Sequence, residues 1–160
     1  METIVLVSLF FIIVIGGIFL ARRRQKTRFP KGVYKPSYIL TRNEYSFYQK
    51  LVKELGGDYL LCPKVRLEDV IGVSNTVINE KQRQMYRGYV KSRHVDFIVC
   101  DKKLHVLCGI ELDDSSHFSE DAKRSDAIKN EIFSCAGVKL LRGYNNDEDL
   151  KKIVREVKKL

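Results

Sequence analysis

The sequence is most informative where residue types are missing. Between Thr3 and Ala21 there is no charged residue, and between Arg22 and Lys35 there is no acidic one. Four cysteines, at positions 62, 100, 108 and 135, include no CxxC pair, and with His94, His105 and His117 they show no zinc-ribbon spacing. A disulfide scaffold and a spaced Cys/His zinc site are therefore poor descriptions of this chain. Ten glycines and three prolines in 160 residues exclude a collagen-like repeat, and 44% apolar residues exclude a wholly disordered chain. There is no internal repeat or low-complexity tract. What remains fits one domain of ordinary size.

The uncharged stretch is almost entirely Ile, Val, Leu and Phe, broken by Thr3, Ser8 and the Gly16–Gly17 pair. Its nineteen residues, at a helical rise of about 1.5 Å, extend roughly 28 Å, close to the ~30 Å hydrocarbon core of a bilayer. Glu2 precedes it where a cleaved signal peptide would carry positive charge. It also lacks the polar face that a buried core helix usually keeps. Residues 1–21 are expected to form a transmembrane anchor, residues 22–38 a basic juxtamembrane linker and residues 39–160 a cytoplasmic domain. Arg22, Arg23, Arg24, Lys26, Arg28, Lys31 and Lys35 follow the apolar run. By the positive-inside rule this single-pass protein has its N-terminus outside and its domain in the cytoplasm. The cluster then lies against anionic headgroups.

That cluster also accounts for most of the charge imbalance. The whole chain has 29 basic and 20 acidic residues, net +9, and a pI near 9.4. Without residues 22–35 and Glu2, 22 basic residues face 19 acidic ones, net +3. The high pI thus describes the linker more than the domain, and is weak evidence for nucleic-acid binding.

Within the domain, Thr41-Arg-Asn-Glu44 reads as a capping box, followed by Tyr45, Tyr48, Leu51, Val52 and Leu55 at helical spacing and stopped by Gly56–Gly57. Tyr59–Val65 predicts a short strand in which Pro63 is the weak point. Residues 72–92 are polar and contain a basic helical stretch through Lys81, Arg83, Arg87 and Lys91, mixed with Tyr86 and Tyr89. Cations interleaved with aromatics are a pattern of single-strand binders and also of solvated helices. Residues 120–136 predict a helix ended by Gly137, then a strand at Val138–Arg142. Asn146 caps a last helix striped by Leu150, Ile153, Val154, Val157 and Leu160.

The most telling text is His94-Val-Asp-Phe-Ile-Val-Cys-Asp, a turn at Lys102–Lys103, and Leu104–Asp113. Alternation puts Val95, Phe97 and Val99 on one face of the first strand and Leu104, Val106, Cys108, Ile110 and Leu112 on one face of the second. Both sets are expected to face the core, with Asp96, Glu111 and Asp113 opposite. The short turn brings position 96 near 109–111. Carboxylates gathered in this way repel one another unless a cation or shared proton intervenes, and hard oxygen ligands suit Mg²⁺ or Mn²⁺. Asp96 and Glu111 are the first candidates for metal ligands, with Asp113 a third ligand or a water-positioning group. His117 is a candidate general acid/base or phosphate donor. Arg124, beside Lys123 and Asp126, is a candidate cation for a nucleic-acid backbone or for the acidic cluster.

In combination, Val95-Asp96-Phe97, Ile110-Glu111-Leu-Asp113 with His117, Arg124-x-Asp126 and Gly137-x-x-Leu-Leu-Arg142 resemble a bacterial membrane-anchored domain family of unknown function, DUF2726. That family is related to the very-short-patch-repair endonucleases of the PD-(D/E)XK, restriction-endonuclease-like superfamily. Leu40-Thr-x-Asn43-Glu44 and Pro63-x-Val65-x-Leu67 extend the likeness, which covers residues 40–145. It implies an α/β fold with a restriction-endonuclease-like αβββαβ core and a mixed sheet, Asp96 and Glu111 as metal-binding acids, and Mg²⁺- or Mn²⁺-dependent phosphodiester hydrolysis of nucleic acid, DNA first. One position departs from the superfamily pattern: the lysine expected two residues after Glu111 is Asp113. Arg124 or Lys123 is the expected substitute. A nuclease fold without catalysis, binding nucleic acid or protein, and a membrane adaptor with a structural acidic cluster are the competing expectations.

Overall fold

The computed structural model describes residues 7, 12–16, 29–77, 79–113 and 120–160. The chain divides into two units, Met1–Ser37 and Tyr38–Leu160. In the first, residues 7 and 12–16 are helical, and Val7, Ile12, Ile13 and Ile15 expose their side chains. Among the described residues no helix is long and apolar enough to cross a membrane. Most of the predicted anchor, and residues 22–28 of the basic linker, lie outside the described residues.

The second unit is a mixed α/β structure built on one four-stranded sheet of order β1-β2-β3-β4. It runs α1 (Arg42–Leu55), a 3₁₀ turn (Gly56–Asp58), β1 (Leu60–Arg66), α2 (Leu67–Val70), α3 (Glu80–Lys91), β2 (His94–Cys100), β3 (Val106–Leu112), α4 (Glu120–Cys135), β4 (Lys139–Gly143) and α5 (Asp147–Val157). β1–β2 and β2–β3 are antiparallel and β3–β4 is parallel, because α4 supplies the crossover that parallel neighbours require. Local chemistry sets the helix ends. The Thr41 hydroxyl accepts from the Glu44 amide and the Glu44 carboxylate accepts from the Thr41 amide, both halves of the capping box. Asn79 and Asn146 cap α3 and α5 in the same manner, accepting from Gln82 and Asp149. Gly137, at φ +68°, makes the left-handed exit from α4 that a side chain would strain. Pro63 lies in β1, an edge strand, where its missing N–H costs least.

Both faces of the sheet are covered. On one, α1 and α5 pack Phe47, Leu51, Leu55, Leu150, Ile153, Val154 and Val157 against Phe97, Val99, Cys108 and Ile110. On the other, Leu67, Ile71, Val90 and Phe133 pack with Val95, Ile98 and Cys100. This corrects the one-sided core expected from alternation. The unbroken run Phe97-Ile98-Val99-Cys100 is the text of a strand buried on both faces. Val95 also falls in the second cluster, apart from Phe97 and Val99. The disturbance lies opposite Lys64, whose φ of +52° interrupts the regular β1 ladder between Pro63↔Phe97 and Val65↔Val95.

Two apolar residues differ from expectation. Leu104 is exposed, at φ +66°, within the β2–β3 turn rather than in β3. The Asp101 carboxylate accepts from the Lys103 and His105 amides and so lengthens that turn. Leu160 is exposed because α5 ends at Val157, before the stripe reaches it.

Candidate functional site

The hairpin register creates the site. Phe97 pairs with Ile110 and Ile98 with Gly109, so one further step places Asp96 across from Glu111. The β1–β2 register likewise sets Lys64 across from Asp96. Asp96 is thus flanked by a cation on one neighbouring strand and a carboxylate on the other. Its Oδ1 accepts from Lys64 Nζ at 2.7 Å and its Oδ2 from the Leu112 amide at 3.0 Å. A strand terminus that would otherwise end on water is therefore closed by the acid itself.

Glu111 is the only polar or charged residue buried as deeply as the core among the described residues. Its Oε2 accepts from Lys129 Nζ at 2.7 Å, in an ion pair whose side chains are 12% and 9% exposed. Its Oε1 is buried with no hydrogen-bond partner among the described residues. Burial pushes the Glu111 carboxyl above the usual range; Lys129 opposes that shift and the Asp96 charge reinforces it. Gly109 is the reason α4 can come so close. A Cβ there would stand 2.7 Å from the Phe133 ring, four residues, or one helical turn, beyond Lys129.

Two ionic chains extend from this centre. Lys64 also donates to Glu44 Oε1, while Glu44 Oε2 accepts from the Thr41 amide at 2.7 Å. The α1 cap and the β2 acid therefore share one ammonium group. Burial alone would raise the Glu44 carboxyl, but the Lys64 and Thr41 contacts outweigh it and hold it below the usual range. For Lys64, burial acts downward and its two carboxylate partners more than reverse it, so its pKa is raised. On the other side, Lys129 lies 3.2 Å from Asp126. Arg142 of β4 lies 3.2 Å from Asp113 and 3.4 Å from Asp126. Among the described residues the buried Arg142 Nη2 has no hydrogen-bond partner, so the Asp126 contact is ionic without hydrogen-bond geometry.

The sequence-level candidates are thus placed as follows. Asp96 and Glu111 face each other. Asp113 is nearby in β3's wake but is held by Arg142, and its amide donates to the Gly143 carbonyl at 2.9 Å. Arg124 is exposed on α4, and five residues separate it from Lys129, so it projects from a different side of the helix. Lys123 pairs with Glu120 at the exposed start of α4. The cation that reaches Glu111 is Lys129, not Arg124 or Lys123. His117 lies outside the described residues. Among the described residues, no three His, Cys, Asp or Glu side chains are gathered as a metal cluster.

Sequence reasoning missed Glu44, Lys64, Lys129 and Arg142. One signal was present for Lys129: it shares a helical face with Asp126 and Phe133, three residues before and four after it. Lys64 carried no such mark, because its reach depends on a left-handed backbone.

Comparison with known proteins agrees at the level of family. The model of the family described as "Protein of unknown function (DUF2726)" matches residues 36–160. An uncharacterized protein of Haemophilus influenzae is 26% identical over 113 residues, covering 71% of this chain and 57% of its own length. This chain therefore matches little more than half of that relative. No solved structure matches. The match over residues 36–160 takes in the whole sheet, Asp96, Glu111 and Lys129, and on that extent the chain belongs to the DUF2726 family.

Proposed function

We propose that this protein is a membrane-anchored nuclease of the restriction-endonuclease-like class, hydrolysing phosphodiester bonds of nucleic acid with Mg²⁺ or Mn²⁺. The observation that carries this reading is Glu111 Oε1: a buried carboxylate oxygen with no hydrogen-bond partner among the described residues, across the ladder from a second acid. An unsatisfied buried oxygen of this kind is costly and asks for a cation or a proton. Oxygen donors of this type suit a hard divalent ion, so the residues present fit the metal that the family likeness implies. Asp96 and Glu111 would hold it. A divalent cation supplies Lewis acidity, polarising a phosphoryl oxygen and making water more acidic.

The chain's own residues do the rest. Lys129 fixes Glu111 through Oε2 and leaves Oε1 free. It brings from α4 the ammonium group that the superfamily pattern puts where Asp113 stands, and so orients water and offsets phosphate charge. Lys64 holds Asp96 on its other edge. Arg142 holds the Asp113 carboxylate by a hydrogen bond, and Asp113 acts as a positioning group. The apolar run of residues 3–21 and the following basic cluster support anchoring, with the domain in the cytoplasm and the linker against anionic lipid.

One observation favours a second reading. Lys64 and Lys129 already place an ammonium group on each acid, an arrangement that a non-catalytic binding module could keep without metal. The test is cleavage of labelled single-stranded, duplex and flapped DNA, and of RNA, by the full chain with Mg²⁺ or Mn²⁺, beside Glu111→Gln. Metal-dependent cleavage lost in the variant is expected. Equal cleavage by both proteins, or none by either while both remain folded, contradicts the nuclease reading, and the second outcome selects the binding module.

A further inference from the structure

α3 is the least absorbed helix of the fold. Of its twelve residues only Val90 is buried, and that side chain joins Val95, Ile98 and Phe133 on the α4 side of the sheet. The stripe formed by Met85, Tyr86 and Tyr89 faces solvent, 49%, 43% and 41% exposed. Tyr86 and Tyr89 are three residues apart and so are neighbours on the helix surface, where the two phenol rings form one surface. Lys81 and Lys91 are exposed at its two ends. The Arg93 guanidinium lies 5.9 Å from the centre of the Tyr89 ring and donates to the Tyr89 carbonyl. Among the described residues, Arg83 bonds neutral oxygens, those of Asn75 and Val77. On and beside the helix, five cations (Lys81, Arg83, Arg87, Lys91 and Arg93) meet Glu80 and the Glu68 that pairs with Arg87. Exposed rings framed by excess positive charge complement a polyanion whose bases are free to stack.

The position of the helix adds direction. Arg93 is three residues before Asp96, a distance of about 10 Å along a strand. α3 and α4 both cover the sheet face from which Lys129 meets Glu111. The helix that carries the rings therefore covers the same face of the sheet as the Lys129–Glu111 pair.

We propose that Tyr86 and Tyr89 form a stacking platform for unpaired nucleotides, with Lys81 and Arg93 holding the backbone, so that the protein takes single-stranded nucleic acid. This rests on the nuclease reading for its biological use, but is tested by binding alone. A duplex hides its base faces and gains only the charge interaction.

The experiment uses the full chain in neutral detergent, on a Glu111→Gln background and without divalent metal. Fluorescence anisotropy follows a labelled oligothymidylate and a duplex of equal length. Single strand is expected to bind at least tenfold tighter than duplex. Tyr86→Ala/Tyr89→Ala is expected to weaken single-strand binding about tenfold or more, while Tyr86→Phe/Tyr89→Phe, which keeps the rings, retains it. Lys81→Ala is expected to flatten the salt dependence for both substrates. Unchanged single-strand affinity in the double alanine variant, with its melting temperature preserved, overturns the proposal. So does loss in that variant of binding to anionic vesicles, or of self-association, with oligonucleotide affinity intact. Tyrosine-dependent binding without metal-dependent cleavage by the parent chain would refute the nuclease reading and leave the platform standing.

Discussion

The two faces of the sheet are built to different ends. The face under α1 and α5 is dry: eleven buried residues, all apolar, form its cluster, and α5 alone contributes four of them. The face under α3 and α4 has a smaller cluster, and α4, although sixteen residues long, buries only Phe133. Beyond Phe133 the same helix turns to Lys129 and Asp126, and the sheet answers with Glu111 and Arg142. One face supplies stability. The other gives up apolar contact in order to hold a strained set of charges, and the strain is concentrated at Glu111.

The largest effect that would break this contrast lies on the dry face. Phe97 is fully buried and its ring lies 6.2 Å from Phe47 and 6.1 Å from Tyr48. Phe97→Ala is expected to cost about 3–5 kcal/mol in denaturant unfolding, with more loss than any single truncation of α3.

The next effect lies on the other face and joins its packing to the charged set. Gly109→Val forces a side chain into the Phe133 ring and the Leu140 side chain, 2.7 and 2.9 Å from the would-be Cβ. A loss of about 1–3 kcal/mol is expected, and because α4 must move, Lys129 leaves Glu111. Cleavage should therefore fall further than stability. A variant that is destabilised yet cuts at the parent rate would disconnect the packing from the site.

A third prediction uses pH, in the presence of EDTA. The raised Glu111 carboxyl means that the folded protein holds this proton more tightly than the unfolded chain, whose value is near 4.5. Stability from this group is present below 4.5 and is lost as pH rises through the elevated folded value. Glu111→Gln, which stays neutral, should gain on the parent across that window. Glu44 has the opposite sign, since its folded value is lowered. Its contribution is present above 4.5 and vanishes as pH falls through the lower folded value, so the penalty of Glu44→Gln should be full near neutrality and disappear in acid. Parallel pH curves for the two variants would remove the distinction between the strained acid and the satisfied one. The smallest effect is at the cap: Thr41→Ala should cost about 1 kcal/mol, read as a shifted unfolding midpoint without loss of the Lys129–Glu111 pair.

The sequence makes one half of this architecture legible and hides the other for a physical reason. Capping boxes, helix stripes and hairpin alternation are local, and they place α1, α5, β2 and β3 and bring Asp96 opposite Glu111. The run Phe97–Cys100 also announces burial on both faces, if read as continuous rather than alternating. The cations are a matter of tertiary reach. Lys64 is 32 residues from Asp96 and Lys129 is 18 residues from Glu111; their partners are chosen by a left-handed residue in an edge strand and by the close approach of α4 at Gly109. Leu104 and Leu160 mislead in the reverse sense. Their apolar character fits a stripe, but a carboxylate-closed turn takes one out of β3 and the end of α5 strands the other.

On the nuclease reading, the Asp96–Glu111 pair takes a divalent cation at Glu111 Oε1, which has no hydrogen-bond partner among the described residues. The most direct measurement is Mn²⁺ binding to the full chain, followed by calorimetry and by the rise in unfolding temperature that native-state binding produces. The account predicts saturable binding at one site per chain, abolished by Glu111→Gln and by Asp96→Asn and retained in Tyr86→Phe/Tyr89→Phe. Absence of binding, or binding that survives both acid substitutions in folded protein, would contradict it.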